Sequence, residues 1–175
     1  MSEAAPPPGR ALSLLLGVCG AVAAMLAWQA LVPMVRPDPS GASMAVRLGQ
    51  ACAALLPGAT VLALMLLAQM ALRLAAAAID PLAGRETRAL LRNQRVIANT
   101  VEQFAVFAPA LLALAAGITG PRMAEVTAAG AVFAGARLLF WLGYLVAPVG
   151  RAFGMAGTLA VTLGTLAAAI WAWLH

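Results

Sequence analysis

Three side chains that are costly inside a lipid bilayer recur at helical spacing: Arg95, Asn99 and Glu102, at i, i+4 and i+7. That spacing puts a cation, an amide and a carboxylate on one helical face. Arg92 extends the stripe, and Gln103 follows Glu102. A second set, Arg137, Phe140, Tyr144 and Arg151, stands at i, i+3, i+7 and i+14 and contains the sole tyrosine of the chain. Arg73 lies near the end of an apolar run ahead of both sets. A charged group at the centre of a membrane helix costs about 2.5–3.5 kcal/mol on insertion scales, so each needs a partner, a watery cavity or a ligand. Several cations around one carboxylate suit a small polyanion that also carries an amine. The guanidiniums would hold its carboxylates, and Glu102 its ammonium or an amide N–H. Plainer roles stay open for the same residues. Glu102 can pair with an arginine of a neighbouring helix, Tyr144 can anchor at the membrane interface, Arg73 can snorkel to it, and Arg151 can serve as a topology-setting charge.

The elements that must position these residues are membrane helices. Hydrophobic residues make up 63% of the 175-residue chain, charged residues 10%, and mean hydropathy is +0.94. A soluble domain is about half apolar and a quarter charged, so lipid must be the solvent here. Five apolar runs, 11–35, 51–79, 96–118, 124–147 and 152–174, each exceed the roughly 20 residues needed to cross the hydrocarbon. Runs of this length exclude a membrane β-barrel, which shows short alternating segments. The fold class is therefore all-α, an integral membrane helical bundle.

Breaks between runs are marked by helix-stopping residues. Pro33, Pro37 and Pro39 end the first run; Asp80-Pro81 and Gly84 end the second; Gly120-Pro121 divides the third from the fourth; Pro148 and Gly150 precede the fifth. The first run is too long for a signal-peptide core and is read as a retained helix. The segment RETRALLRNQR is expected to begin the third helix before it enters the bilayer. With five spans, Arg10, Arg85, Arg88, Arg92, Arg95 and Arg151 share one side and Arg36, Arg47 and Arg122 the other, which predicts a cytoplasmic N-terminus. Gly150 and Gly154 form a GxxxG pair at a helix start, a weak sign of close helix contact.

The net charge of +5 is all arginine, with no lysine. The arginines sit between apolar runs rather than on a solvated face, so nucleic-acid binding is not expected. Arginine without lysine, beside abundant alanine, suggests a bacterial source. Cys19 and Cys52 fall in or beside apolar runs and read as small packing residues; no metal-ligand spacing appears, and the only histidine is His175, which is given no role.

The stretches RNQRVIANTVEQF and ARLLFWLGYLVAPVGR resemble the MAPEG family, membrane-associated proteins of eicosanoid and glutathione metabolism that include the microsomal glutathione transferases. Arg95, Asn99 and Glu102 match the family's Arg-x-x-x-Asn-x-x-Glu spacing, and Arg137, Gly143-Tyr144 and Arg151 match its next helix in order. The resemblance covers about residues 60–175. It implies residues 1–50 as a tail, an extra transmembrane helix and a loop, and residues 51–175 as a MAPEG-like four-helix transmembrane domain. It further implies a homotrimer in the bacterial inner membrane with glutathione as co-substrate, bound between subunits near the cytoplasmic face. Arg73, Arg95, Asn99, Glu102, Gln103, Arg137 and Tyr144 would bind the tripeptide, and Arg151 would stabilise its thiolate for attack on lipophilic small molecules, in a transferase or peroxidase reaction without metal. Two positions depart from the pattern: Phe140 stands where some members carry tyrosine, and Gln103 where some carry an aromatic residue. Two other functions stay open on the residues alone: a non-catalytic membrane protein of the same fold that holds another anion, and a small transporter subunit with an arginine-lined path.

Overall fold

The computed structural model describes residues 9–35, 43–77, 86–146 and 150–175. Five helices carry the described chain: α1 (Arg10–Leu31), α2 (Met44–Ala75), α3 (Arg88–Gly117), α4 (Met123–Val146) and α5 (Arg151–Leu174). All five are long and apolar enough to cross a membrane. Short 3₁₀ turns at Val32–Met34 and Gly120–Arg122 place Pro33 and Pro121 where a missing N–H costs little. Asp80-Pro81, Gly84, Pro37, Pro39 and Pro148 lie outside the described residues.

Two helices begin seven or eight residues before their apolar runs. α2 starts at Met44 because Ser43 accepts a hydrogen bond from the Val46 N–H at 3.3 Å. Its first turns, polar enough to fall outside the run that begins at 51, are held by Arg47, whose guanidinium donates to the carbonyls of Ala115 and Ala116 at 3.1 and 3.2 Å. Those are last-turn acceptors of α3 that its own helix leaves unpaired. α3 starts at Arg88, with Thr87 accepting from the Leu90 N–H, so the arginine-rich segment does open the third helix. Both α2 and α3 run on through an internal proline, Pro57 and Pro109.

Helices α2, α3, α5 and α4 pack side by side in a ring, α3 also touching α4 across it, and α1 lies outside against α5 and α4. One end of the bundle gathers the start of α1, the end of α2, the start of α3, the end of α4 and the start of α5. The opposite half holds the main apolar core, where Phe107 stacks on Phe133 at 4.2 Å and Phe104 meets Phe133 edge-on at 5.8 Å. A smaller cluster of Val61, Met65, Val96, Ala134 and Phe140 lies toward the first end.

Lipid tails are as apolar as leucine, so close van der Waals packing has to hold these helices together. Glycines supply it. A Cβ on Gly154 would strike the Phe140 amide and the Ala136 carbonyl; one on Gly143 would meet the Gly150 backbone at 2.7 Å. The GxxxG pair thus sits at the α4–α5 crossing. Gly20 of α1 lies against the Phe153 carbonyl, and Trp28 donates through Nε1 to the Glu125 carbonyl at 2.9 Å, which fixes the register of α1. We expect Gly154→Leu to lower the stability of the detergent-solubilised protein by about 3 kcal/mol or more, because backbone on both sides must move. Gly135→Leu, where a Cβ meets nothing within 4 Å, stays within about 0.5 kcal/mol of wild type in the same thermal-unfolding assay.

Candidate functional site

The two polar stripes converge through one buried cation. Arg137 is fully buried in α4, at 0% exposure. Its Nε donates to Thr158 Oγ1 of α5 at 2.9 Å and its Nη1 to Asn99 Oδ1 of α3 at 2.9 Å, with Thr100 Oγ1 at 3.5 Å. The guanidinium also lies 4.5 Å from the centre of the Phe140 ring, within cation–π range. It makes no ion pair among the described residues, and its Nη2 has no hydrogen-bond partner. A guanidinium only donates, so Asn99 must offer it the amide oxygen; the Nδ2 donors are left for whatever lies on the other side.

That other side is a cavity of about 410 Å³ at the first end of the bundle, lined by Ser13, Arg95, Asn99, Phe140, Tyr144, Arg151, Ala152 and Met155. The second stripe forms its wall as a stack. Phe140, under Arg137, meets Tyr144 edge-on at 5.7 Å, and Arg151 reaches back over the Tyr144 ring at 5.2 Å while its Nη1 donates to the Tyr144 hydroxyl at 3.0 Å. The tyrosine proton is therefore free to be given to a ligand. Among the described residues no carboxylate lines the cavity. Two guanidiniums, an amide NH₂ and a phenol facing one space make a receptor for a small anion.

The other sequence-predicted residues stand apart from it. Arg137 holds Asn99 from behind rather than lining the cavity. Arg73, at the end of α2, lies 3.8 Å from Glu86. Glu102 is exposed on the outer face of α3 and has no partner among the described residues. Gln103 is half-buried, and its Oε1 is buried without a hydrogen bond. A separate groove of about 360 Å³ between α1, α4 and α5 is lined by glycine, alanine and other apolar residues and offers no polar chemistry.

The family whose sequence model matches residues 50–171 is described as the MAPEG family. The chain belongs to the MAPEG family. The match spans α2 to α5, and most of it falls on the four-helix ring, so α1 is an addition to the part that this chain shares with other MAPEG proteins. Comparison with curated proteins and with solved structures returned no match. Among the described residues no cluster of His, Cys, Asp and Glu is arranged to hold a metal ion. Cys19 and Cys52 are free and exposed on the outer surface.

Two features of this MAPEG bundle escaped the sequence reading. The first is Ser13, on a helix that carried no chemical motif. The second is a buried polar knot among α2, α3 and α4. Asn93 is 2% exposed; its Nδ2 donates to the Met65 carbonyl at 3.0 Å and to Gln69 Oε1 at 2.9 Å, and its Oδ1 accepts from Trp141 Nε1 at 2.9 Å. The knot ties α2, α3 and α4 at the level where Arg95 leaves α3. Its one sequence signal is an amide next to Arg92 two residues outside the Arg95 stripe. Asn93→Leu strands Gln69 Oε1 and Trp141 Nε1, and we expect it to cost about 2–4 kcal/mol of thermal stability, whereas exposed Arg92→Ala costs less than about 0.5 kcal/mol.

Proposed function

We propose that this protein is a glutathione-dependent membrane transferase or peroxidase that acts on lipophilic electrophiles. The observation that carries the reading is the cavity, free of carboxylates among the described residues, where Arg95, Asn99, Tyr144 and Arg151 from the two motif stripes face one space. Glutathione is a peptide anion of matching chemistry. Arg95 and Asn99 take its carboxylates, and Arg151, with the Tyr144 hydroxyl beside it, lies against the sulfur.

The mechanism is electrostatic. A free thiol has a pKa near 8.5, and an adjacent guanidinium favours the thiolate. The thiolate then attacks an electrophile dissolved in the surrounding lipid, and proximity of the two supplies much of the rate. The bond forms between sulfur and the electrophilic carbon as the leaving group departs with the electron pair. Arg151 also screens the negative charge of the nucleophile before attack.

Glu102 supports assembly as a homotrimer with glutathione held between neighbours. It lies six residues into the apolar run 96–118 of α3, exposed beside Val101 and Val106, which are 48% and 45% exposed. An unpaired carboxylate facing lipid is costly, up to about 2.5–3.5 kcal/mol at the centre of a membrane helix. A neighbouring copy on this face covers it and brings it to the ligand's ammonium. The arginine-rich end then faces the cytoplasm of a bacterial inner membrane, in line with the positive-inside bias.

Titration of glutathione into the purified protein at neutral pH is expected to raise absorbance near 240 nm, the thiolate signature, and to raise the unfolding temperature. Arg151→Ala should abolish the absorbance and lower conjugation of a lipophilic aryl halide at least about 100-fold, while glutathione still stabilises the protein. Glu102→Gln should weaken glutathione binding itself by roughly tenfold. Absence of both the absorbance and the stabilisation in wild type would overturn the reading in favour of a non-catalytic anion-binding protein.

A further inference from the structure

We propose that α1, the helix outside the family match, is a working wall of the anion cavity, and that the Ser13 hydroxyl contacts the bound anion. The inference rests on the glutathione reading for the identity of the ligand, but not for the geometry.

The placement of Ser13 follows from how α1 is seated. Ser13, Gly17, Gly20, Ala24 and Trp28 recur at i, i+4, i+7, i+11 and i+15, one stripe along the helix. Every one of them is buried or half-buried, while Leu14, Leu15, Val18, Val22 and Leu26 are 52–67% exposed to lipid. The stripe docks on α5. A Cβ on Gly17 would rest 3.7 Å from that of Ala156, and one on Gly157 would lie 3.1 Å from the Gly20 carbonyl. At the far end the Trp28–Glu125 hydrogen bond stops the helix from sliding or turning. With register and rotation both fixed, the first residue of the stripe must face the space above Ala152 and Met155, the α5 floor of the cavity.

Ser13 is also the odd residue of that stripe. The other four are apolar or, in Trp28, spend their one polar group at the opposite end. A serine inside a helix commonly turns its hydroxyl back to the carbonyl four residues earlier. Here the Ser13 hydroxyl has no hydrogen-bond partner among the described residues. The hydroxyl is thus left toward a cavity whose other polar lining is Arg95, Asn99, Tyr144 and Arg151. Its chemical role is a short neutral donor to a carboxylate or thiolate already held by the guanidiniums. Its structural role is to close the α5 side of the site against lipid.

The test uses the full chain in lipid nanodiscs with Cys19 and Cys52 replaced by alanine, both being exposed residues outside the cavity. Cysteine is then placed at Ser13 or at lipid-facing Leu14, and labelled with an anionic or a cationic methanethiosulfonate reagent. Ser13→Cys is expected to react at least about tenfold faster with the anionic reagent than with the cationic one, Leu14→Cys to show no such preference, and Arg95→Gln combined with Arg151→Gln to erase it. Equal rates at the two positions, or a preference that survives loss of both arginines, would overturn the placement whatever the ligand is. In a second arm, glutathione affinity is measured by calorimetry. Ser13→Ala should weaken it roughly three- to tenfold and Ser13→Trp, which fills the cavity, should abolish it, with Leu14→Trp unchanged. Wild-type binding that persists in Ser13→Trp sinks the inference and spares the functional reading. No wild-type binding sinks the functional reading, and the labelling arm then decides for Ser13 alone.

Discussion

The structure turns on an arginine buried without a counter-charge. Arg137 gives up hydration for bonds to Thr158, Asn99 and Thr100 and for the face of Phe140. A guanidinium cannot accept a hydrogen bond and does not deprotonate readily, so every neighbour must adapt to it. Asn99 is turned oxygen-inward. Phe140 is held flat beneath the cation and in turn supports Tyr144, on which Arg151 lies. The order of groups along the cavity wall is therefore set from the inside outward. Phenylalanine at position 140 fits this arrangement, because it meets the cation with its ring face and needs no hydrogen bond of its own.

That buried cation demands close helices. Thr158 reaches Arg137 because Gly154, one turn earlier, lets the α5 backbone rest on that of α4 at Phe140. The same threonine also donates to the Gly154 carbonyl at 2.7 Å, which orients its oxygen lone pairs toward the arginine. Small residues and polar side chains thus act together: the first permit the approach, the second give it direction. The far end of the bundle uses long side chains as clasps instead. Arg47 covers the last carbonyls of α3, and Trp173 donates to the Ala113 carbonyl at 3.0 Å. With one end clasped, the other is left able to hold an open, solvated cavity.

A single protomer carries an imbalance. Among the described residues its cavity holds cations and neutral donors and no carboxylate, while the Glu102 carboxylate faces outward without a partner. Separating the two charges of a motif in this way is costly for an isolated chain and inexpensive for an assembly in which one copy completes another.

By itself, the sequence determined that lipid is the solvent, that five helices cross it, where most of them stop, and which family the last four helices belong to. Those features depend on composition, apolar run length, proline and glycine punctuation and motif spacing, all local in the chain. It also marked Arg95, Asn99, Tyr144 and Arg151 by their cost in a membrane, and the fold gathers those four around one cavity. Only the tertiary structure decided which polar residues face the cavity and which face away. Helical periodicity puts Arg95, Asn99 and Glu102 on one face, but the fold brings Arg95 and Asn99 to the cavity and leaves Glu102 exposed outside it. Periodicity likewise could not tell that Arg137 would be sealed in, that Asn93 would knot three helices, or that Ser13 would reach the site. Each of these depends on which backbone comes within a few ångströms of which. That is set by glycines far apart in the chain meeting in space, and no spacing along the sequence encodes it.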